Sequence, residues 1–280
     1  MLNAILSPIV GLSVLQARFF RDAGYLRLPG RFDETDVALL REKCVSEFER
    51  AEGPVQRDAS GSVVRLSRIY ARSEAFRDAF TAPIILGPLG SLLGPNIDFV
   101  LNRHNHVTVN GSRTKAGRLH RDVLQWSRPI VSVLIYLDDA NDQSGCTQVI
   151  PTSQLLPYVG TPNNGGTWMD EHHVFAGLLD QALPVPMLSG QILAFDGLIF
   201  HAAGEGSEPG TRFALSGAYH SVDELKSPSH PAQATVVLGN KHLSRRHVSH
   251  RHEARNRMGV APESCSVLAV HGLHRGTRQP

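Results

Sequence analysis

One stretch organises this chain: GRLHRDVLQW, residues 117–126, which contains the only His-x-Asp triplet in the sequence. Residues two apart on a β-strand point to the same face, so His120 and Asp122 would present an imidazole and a carboxylate side by side. Both groups are common metal ligands. Because the chain has 14 histidines in 280 residues, one such triplet can also arise by chance. Whether the triplet marks a metal site must therefore be judged from the residues around it.

The sequence on either side of this stretch predicts strands. Residues 129–137 form an apolar run rich in β-branched side chains, and turn residues follow at 138–145. Shorter strand-like runs, separated by turns, occupy residues 99–102, 104–109, 146–150, 190–195, 198–203 and 212–220. Short strands of this kind are typical of a two-sheet sandwich or jelly roll. We therefore predict a jelly-roll core over residues 97–221.

The predicted fold is mainly β with flanking helices, of the α+β class. Residues 1–95 predict a mostly helical cap, in which 53–61 is interpreted as a polar loop. A short strand at 25–28 is expected to end at Pro29-Gly30. Helical spacing of apolar residues predicts helices at 12–23, 34–50, 73–80 and 83–93.

Two further segments fall outside this pattern. Residues 156–188 are too long for a plain hairpin, so we expect an insertion that covers the barrel mouth as a lid, the alternative being a surface excursion without a role. Residues 222–280 form a C-terminal extension, in which 244–257 is rich in Arg and His. That stretch fits a solvated basic surface better than a site for an anionic partner. The whole chain, 1–280, is predicted to form one domain.

Composition excludes several classes of protein. A hydrophobic fraction of 41% and a charged fraction of 19% are ordinary for a soluble globular protein. A net charge of +2 is too small to indicate nucleic acid as the main partner. No run approaches the roughly 18 apolar residues that span a membrane. The three cysteines form no Cys-x-x-Cys pair, so neither a disulfide framework nor a structural zinc site is indicated, and we expect a cytoplasmic enzyme.

A third metal ligand is expected from a distant strand. His201 ends the apolar run Leu198-Ile199-Phe200, so its imidazole is expected to be buried. With His120 and Asp122 it would complete a set of two histidines and one carboxylate, which leaves three positions of an octahedral Fe(II) open for a co-substrate and O₂. Other histidines could serve instead or line the pocket: His104, His106, His172, His173 and His220.

The strand that follows His201 opens with Arg212, eleven residues later. A guanidinium at this position could hold a carboxylate through two hydrogen bonds. Ser216 lies four residues further on, on the same strand face, and could add a hydroxyl donor.

Taken together, these residues resemble the phytanoyl-CoA hydroxylase-like (PhyH) family of Fe(II)/2-oxoglutarate-dependent oxygenases, over residues 12–221. The similar features are the N-terminal helix and strand, the His-x-Asp triplet, His201, Arg212, and the segment 136–154 with its Leu-Asp-Asp, Ser-Gly and Pro-Thr-Ser-Gln motifs. The family usually has Pro-Gly-Ser-His at the last of these. Thr152 and Gln154 therefore depart from its pattern.

The resemblance implies a double-stranded β-helix, a cupin-like jelly roll, that uses Fe(II), 2-oxoglutarate and O₂. The His-x-Asp pair and His201 would be the metal-binding catalytic residues. Arg212 would pair with the far carboxylate of 2-oxoglutarate, and Ser216 and Asn102 are further candidates for cofactor binding.

The substrate must be inferred from residues expected at the barrel mouth, which are polar or amphipathic: His106, Arg118, Trp126 and Trp168. Only 6% of the chain is aromatic, and no long apolar helix is present to hold an acyl chain. We therefore predict hydroxylation or oxidative cyclisation of a polar small molecule, such as a sugar-containing or aminoglycoside antibiotic intermediate. The alternative within the family is an amino-acid or ectoine-type hydroxylase.

Two other classes of protein remain open. A non-redox cupin-like metal isomerase or binding protein would keep the three metal ligands but would have no use for Arg212. A structural or interaction protein would instead use the basic C-terminal stretch.

Overall fold

The computed structural model describes residues 2–101, 104–110, 117–122, 130–156, 167–168, 173–206, 212–222 and 234–239. All of them belong to one unit of the chain, Met1–Lys241, and the other unit, His242–Pro280, lies outside the described residues. The single-domain organisation and the role of the C-terminal extension therefore stay predictions.

Among these residues the helices are α1 (Val14–Ala23), α2 (Glu34–Arg50), α3 (Glu74–Thr81) and α4 (Pro83–Leu93). The strands are β1 (Tyr25–Arg31), β2 (Val55–Arg57), β3 (Val63–Ser67), β4 (Ile97–Val100), β5 (His106–Asn110), β6 (His120–Arg121), β7 (Ile130–Tyr136), β8 (Thr147–Val149), β9 (Thr167–Trp168), β10 (Leu183–Val185), β11 (Gln191–Asp196), β12 (His201–Ala203), β13 (Arg212–Ser221) and β14 (Ala234–Leu238). Short 3-10 helices lie at Asn3–Leu6, Ile69–Ala71, Ser153–Leu155 and His173–Gln181.

The helices begin and end where side chains or glycines satisfy their terminal backbone groups. Ser13 caps α1 by accepting a hydrogen bond from the backbone N–H of Gln16, whose side chain accepts one from Ser13 in return. Gly24 ends this helix in the left-handed conformation, with a φ of 84°. Asp33 caps α2. The four predicted helices are confirmed to within two residues, and among the described helices none combines the length and apolar character that crossing a bilayer requires.

The described strands form two antiparallel sheets. The larger has the order β1-β11-β7-β13-β5-β3-β2, and β4 pairs with both β13 and β14. The smaller has the order β10-β8-β12-β6-β9. The two sheets meet through their side chains, since the ring of Phe195 on β11 packs against that of His201 on β12 with 4.5 Å between centroids. This is the predicted jelly roll, mainly β with flanking helices.

The larger sheet has two chemically different faces because its side chains alternate. Phe213 and Leu215 of β13 lie in the main hydrophobic core, together with helix residues such as Phe80 of α3. The helices therefore cover this outer face. Arg212 and Ser216 alternate with the core residues and point to the space between the two sheets. The fold thus keeps its interior-facing polar side chains apart from the helix-covered core.

The region 1–95 differs in two places from its predicted structure. β1 runs on through Pro29-Gly30 to Arg31, with an irregularity in its pairing to β11. A proline is tolerated here because β1 lies at the edge of the sheet. Residues 53–61, interpreted as a polar loop, contain β2, which pairs with β3. The predicted cap therefore also supplies three strands to the larger sheet.

The segment 156–188 also supplies strands, which the prediction of a lid missed. β9 pairs with β6 and β10 pairs with β8, so parts of this segment extend both ends of the smaller sheet. These strands have two and three residues, too few to show an alternation of polar and apolar side chains. Residues 157–166 and 169–172 lie outside the described part of the chain, so a lid there stays a prediction.

The packing between β13 and the helices leaves no room for a side chain at Gly217. A Cβ there would lie 2.8 Å from ring carbons of both Phe80 and Phe99. Gly217→Ala is therefore expected to lower the free energy of unfolding by about 1–3 kcal/mol, which urea denaturation would measure.

The matched control is Gly90→Ala, because a Cβ at this position in α4 meets only a methyl group of Leu238, at 3.9 Å, among the described residues. This substitution should leave the stability unchanged or raise it by about 0.5–1 kcal/mol. Equal effects of the two substitutions would contradict the packing described for Gly217.

Candidate metal centre

Two strands of the smaller sheet bring the predicted metal ligands together. His120 of β6 lies opposite His201 of β12 in the antiparallel register, and Asp122 follows β6 directly. Oδ1 of Asp122 is 3.6 Å from Nε2 of His120 and 3.5 Å from Nε2 of His201. Ligand atoms of all three residues lie within 4.8 Å of one another. In the part of the chain that the structure describes, no other group of His, Cys, Asp and Glu side chains meets this condition.

The backbone orients both imidazoles. Nδ1 of His120 donates to the carbonyl of Arg118 at 3.0 Å, and Nδ1 of His201 donates to the carbonyl of Ile199 at 3.1 Å. Because a carbonyl oxygen only accepts, Nδ1 of each ring carries a proton, and Nε2 is the atom left to bind a metal. Burial, followed by the neighbouring His201, lowers the pKa of His120, which favours the neutral form. Metal-binding histidines are commonly held in this way.

Asp122 is a buried carboxylate held in a defined orientation. Its Oδ2 accepts a hydrogen bond from the hydroxyl of Ser132 at 3.1 Å, while Oδ1 faces the imidazoles. Burial acts to raise its pKa, but the positive charges that His104, His201 and His120 carry when protonated, together with the bond from Ser132, outweigh it and lower the pKa to about 2. The carboxylate is therefore ionised at neutral pH and can bind a cation without first losing a proton.

A tight turn brings His201 and Asp122 together. The side chain of Asp196 accepts a hydrogen bond from the backbone N–H two residues on, at 2.8 Å. The carbonyl of Gly197, next in the chain, accepts one from the backbone N–H of Asp122 at 2.9 Å. The strand predicted at 198–203 accordingly begins only at His201, because the preceding residues form the turn.

A fourth imidazole, that of His104, lies beside Asp122. Its Nε2 is 3.4 Å from Oδ1 of Asp122, and its backbone has an unusual positive φ of 43°. The sequence left His104 open as an alternative ligand or a pocket residue. The structure makes it a neighbour of the carboxylate, since it does not belong to the group of ligand atoms that lie within 4.8 Å of one another.

Arg212 is buried at the start of β13 and fixes the turn that precedes β8. Its two Nη atoms donate to the carbonyl oxygens of Ser144 and Gly145, at 2.5 and 2.6 Å. Arg212 also interacts electrostatically with Tyr136, whose hydroxyl is hydrogen-bonded to that of Thr147 at 2.6 Å. Burial raises the pKa of Tyr136 to about 12, so the phenol keeps its proton. The three side chains together offer hydrogen-bond donors to a carboxylate.

Sequence reasoning missed several polar residues of the interior. Ser132 and Tyr136 lie on β7, and Thr147 lies on β8. The signal that could have found the first two is their polarity at alternate positions of an otherwise apolar run, which marks one face of the strand. Arg65 on β3 was missed because its strand lies in the region interpreted as a cap.

Two further predicted residues, Ser216 and His106, lie opposite each other on β13 and β5, and both are buried. The side chain of His106 is bound by that of Arg65, at 2.8 Å between Nδ1 and Nη2. Both therefore face the interior, as expected for residues that line a pocket.

The other predicted site residues lie nearer the surface or outside the described residues. Arg118 is exposed, and its carbonyl orients His120. The backbone of Trp168 lies opposite His120 on the edge strand β9, but its side chain is not among those described. Asn102 and Trp126 lie outside the described residues.

The other alternative ligands lie apart from this group of atoms. His220 is fully buried near the far end of β13, opposite Asp98 of β4. His172 and the side chain of His173 lie outside the described part of the chain.

The two departures from the family pattern have structural roles. Thr152 adopts the left-handed conformation, with a φ of 65°, at the position where the family usually has glycine. The side-chain amide of Gln154 donates to the carbonyl oxygens of Arg21 and Asp22 at the end of α1, at 3.0 and 3.1 Å. Gln154 therefore satisfies the last carbonyls of a helix, where the family's histidine would stand.

The donor set fits an iron site. Two neutral imidazole nitrogens and one ionised carboxylate oxygen are the donors of Fe(II) sites that keep open positions for a co-substrate and O₂. A closed structural site would offer four protein donors. The described residues offer three within mutual reach.

The family model described as Phytanoyl-CoA dioxygenase (PhyH) matches residues 20–214, and the chain belongs to this family. It is accordingly an Fe(II)- and 2-oxoglutarate-dependent oxygenase with O₂ as co-substrate, as the sequence predicted. The L-proline trans-4-hydroxylase of Streptomyces griseoviridis is 25% identical over 264 residues, which cover 84% of this chain and 94% of that protein.

Solved structures share the fold. The epimerase SnoN, in complex with Fe3+, alpha ketoglutarate and nogalamycin RO, gives a TM-score of 0.67 at 20% identity, over 77% of this chain and 86% of that one. The carbocyclase SnoK from nogalamycin biosynthesis gives 0.62 at 21% identity, over 78% and 87%. EctD from S. alaskensis with bound Fe gives 0.65 at 16% identity, over 83% and 87%.

Ser132→Ala is expected to lower the affinity for Fe(II) by about tenfold or more, because Oδ2 of Asp122 loses its hydrogen bond and the carboxylate is no longer held toward the imidazoles. Anaerobic calorimetric titration with Fe(II) would measure the change. Ser46→Ala, on the exposed face of α2, is the control. Equal affinities for the two variants would show that Ser132 does not support the site.

Proposed function

We propose that His120, Asp122 and His201 bind Fe(II), that Arg212 binds 2-oxoglutarate, and that the enzyme oxidises a polar small molecule by hydroxylation or oxidative cyclisation. The observation that carries the proposal is the close group of two oriented imidazoles and one ionised carboxylate between the sheets. Fe(II) and 2-oxoglutarate, when bound, supply the oxidation of a substrate C–H bond by O₂, with succinate and CO₂ as co-products.

The protein's own contribution is to orient these groups and to limit the access of water. The carbonyls of Arg118 and Ile199 hold the imidazoles in one tautomer, and Ser132 holds the carboxylate. Phe195 covers one face of His201 with its ring. Such fixed partners keep ligands in position for reaction and reduce the reorganisation that a flexible site would need.

The cluster around Arg212 supports a role in binding the far carboxylate of 2-oxoglutarate. The bonds to Ser144 and Gly145 fix the guanidinium, and a guanidinium has five N–H donors, so further ones remain for a ligand. The hydroxyls of Tyr136 and Thr147 add polar atoms beside it. We propose that Ser216, on the same strand face, also contributes, and Asn102 remains a candidate outside the described residues.

Two substrate classes are compatible with this site. The likeness to SnoN and SnoK, proteins of nogalamycin biosynthesis, supports a sugar-containing antibiotic intermediate. The sequence similarity to L-proline trans-4-hydroxylase supports an amino-acid-type substrate, and the likeness to EctD adds ectoine-type compounds. His106, Arg118, Trp126 and Trp168 remain the candidate substrate contacts.

The competing classes have less support. A non-redox metal isomerase would need no site for a co-substrate carboxylate, whereas the remaining donors of the buried Arg212 and its hydroxyl neighbours are suited to one. The basic stretch 244–257, which an interaction protein would use, lies outside the described residues. The buried thiols Cys44 and Cys146 are free, which supports our proposal of a reducing, cytoplasmic location.

The test is an anaerobic titration of the protein with Fe(II) and 2-oxoglutarate, followed by the metal-to-ligand charge-transfer absorption. The wild-type protein should develop this band, and His201→Ala should lose it because a metal ligand is removed. Absence of the band from the wild-type protein, or its persistence in His201→Ala, would contradict the proposed site.

The same titration tests Arg212. Arg212→Lys keeps the charge but loses the planar pair of donors, so the 2-oxoglutarate concentration that gives half of the band should rise by about 10- to 100-fold. Arg27→Lys, at an exposed position of β1, is the matched control. An unchanged titration for Arg212→Lys would place the co-substrate carboxylate elsewhere.

A further inference from the structure

We infer that Arg65 and His106 form a subsite for an anionic group of the substrate, a carboxylate in the first instance. The inference rests on the proposed function, because the subsite would serve the molecule that the iron centre oxidises. It names the substrate class more closely than the family does.

The two residues point into the space between the sheets. β3 pairs with β5 in a register that puts Arg65 opposite Thr108 and Ser67 opposite His106. Leu66 and Val107, the intervening residues, lie in the core on the helix side of the sheet. Arg65 and His106 therefore project from the interior face, the face from which Ser132 reaches Asp122.

The hydrogen bond between them sets which atoms are free to bind a ligand. Nη2 of Arg65 lies 2.8 Å from Nδ1 of His106. A guanidinium only donates, so Nδ1 must accept, and the neutral imidazole then carries its proton on Nε2. Both side chains consequently present N–H donors and no acceptor. A pair of this kind complements a group that only accepts, such as a carboxylate.

Among the residues that the structure describes, no carboxylate forms an ion pair with Arg65. Its Nε is buried and has no hydrogen-bond partner among the residues that the structure describes. The carboxylate in its electrostatic surroundings is that of Asp122, which the iron would use. His106 likewise interacts with Asp122, so the pair lies beside the metal centre. An anion would stabilise this partly buried cation in two ways: it would offset the positive charge and accept a hydrogen bond from Nε.

The charged residue of the subsite is separate from the arginine proposed to bind the far carboxylate of 2-oxoglutarate. Arg212 lies on β13, whereas Arg65 lies on β3, and β5 runs between these two strands. The register aligns Arg65 through Thr108 with Ala214, two residues beyond Arg212. Two strand spacings separate the backbones by about 10 Å. Ser216, the further candidate for co-substrate binding, lies opposite the imidazole of the pair. The interior thus contains two cationic side chains on different strands, one for the co-substrate and one for the substrate.

This arrangement favours an amino-acid-type or other anionic substrate over a polycationic aminoglycoside. A polycation would meet Arg65 with like charge and would leave its free donor unpaired. A sugar-containing intermediate remains compatible only if it carries an acidic group.

The experiment uses the full chain loaded with Fe(II) and 2-oxoglutarate in the absence of O₂. Three probes, acetate, benzoate and L-proline, are compared with their neutral counterparts acetamide, benzamide and L-prolinamide. Binding is measured by calorimetry and by the change in the charge-transfer absorption. At least one carboxylate should bind about tenfold or more tightly than its amide. No preference for any carboxylate would overturn the inference.

Substitutions of Arg65 test whether this residue causes the preference for carboxylates over amides. Arg65→Gln should abolish it while the charge-transfer band with 2-oxoglutarate persists, and Arg65→Lys should retain part of it. Arg57→Gln removes an exposed arginine from the same β2–β3 hairpin and should change nothing. A preference that survives in Arg65→Gln would overturn the inference, and loss of the band in the wild-type protein would overturn the proposed function with it.

Discussion

The pairing of β6 with β12 is the constraint on which the site depends. It puts His120 opposite His201 in neighbouring strands, which lie about 4.8 Å apart in any sheet and so suit two ligands of one ion. Asp122 joins them through its backbone bond to Gly197, in the turn that leads from the larger sheet to β12. A shift of one residue in the register of either strand would turn its imidazole to the opposite face of the sheet and separate the ligands.

The larger sheet supports this strand pairing because its two faces have different roles. Its outer face is packed by the helices, as the close approach of Gly217 to Phe80 and Phe99 shows. That face contributes stability and rigidity, so the inner face can contain polar side chains whose burial would otherwise be costly. Most of them have partners: Ser132 binds Asp122, and Tyr136 binds Thr147.

Buried polar atoms without partners therefore carry information in this protein. Arg212 is tied to two backbone carbonyls, whereas Nε of Arg65 has no partner among the described residues. Interiors leave few such atoms, and the one on Arg65 is part of the basis for the proposed substrate subsite. Gln154 stands at a motif position of the family, and its side-chain amide nitrogen donates to the carbonyls at the end of α1.

The sequence by itself determined the four helices, the β-rich core and the ligand types in His-x-Asp, because caps, alternation and spacing are local properties. The sequence did not predict β2, β9 or β10, because these edge strands are too short to show an alternation of polar and apolar side chains. Only the tertiary structure decided that His201, rather than His104, joins the pair, and that Arg65 reaches His106 across 41 positions. Strand register brings such residues together, and register depends on contacts between segments that are distant in the chain.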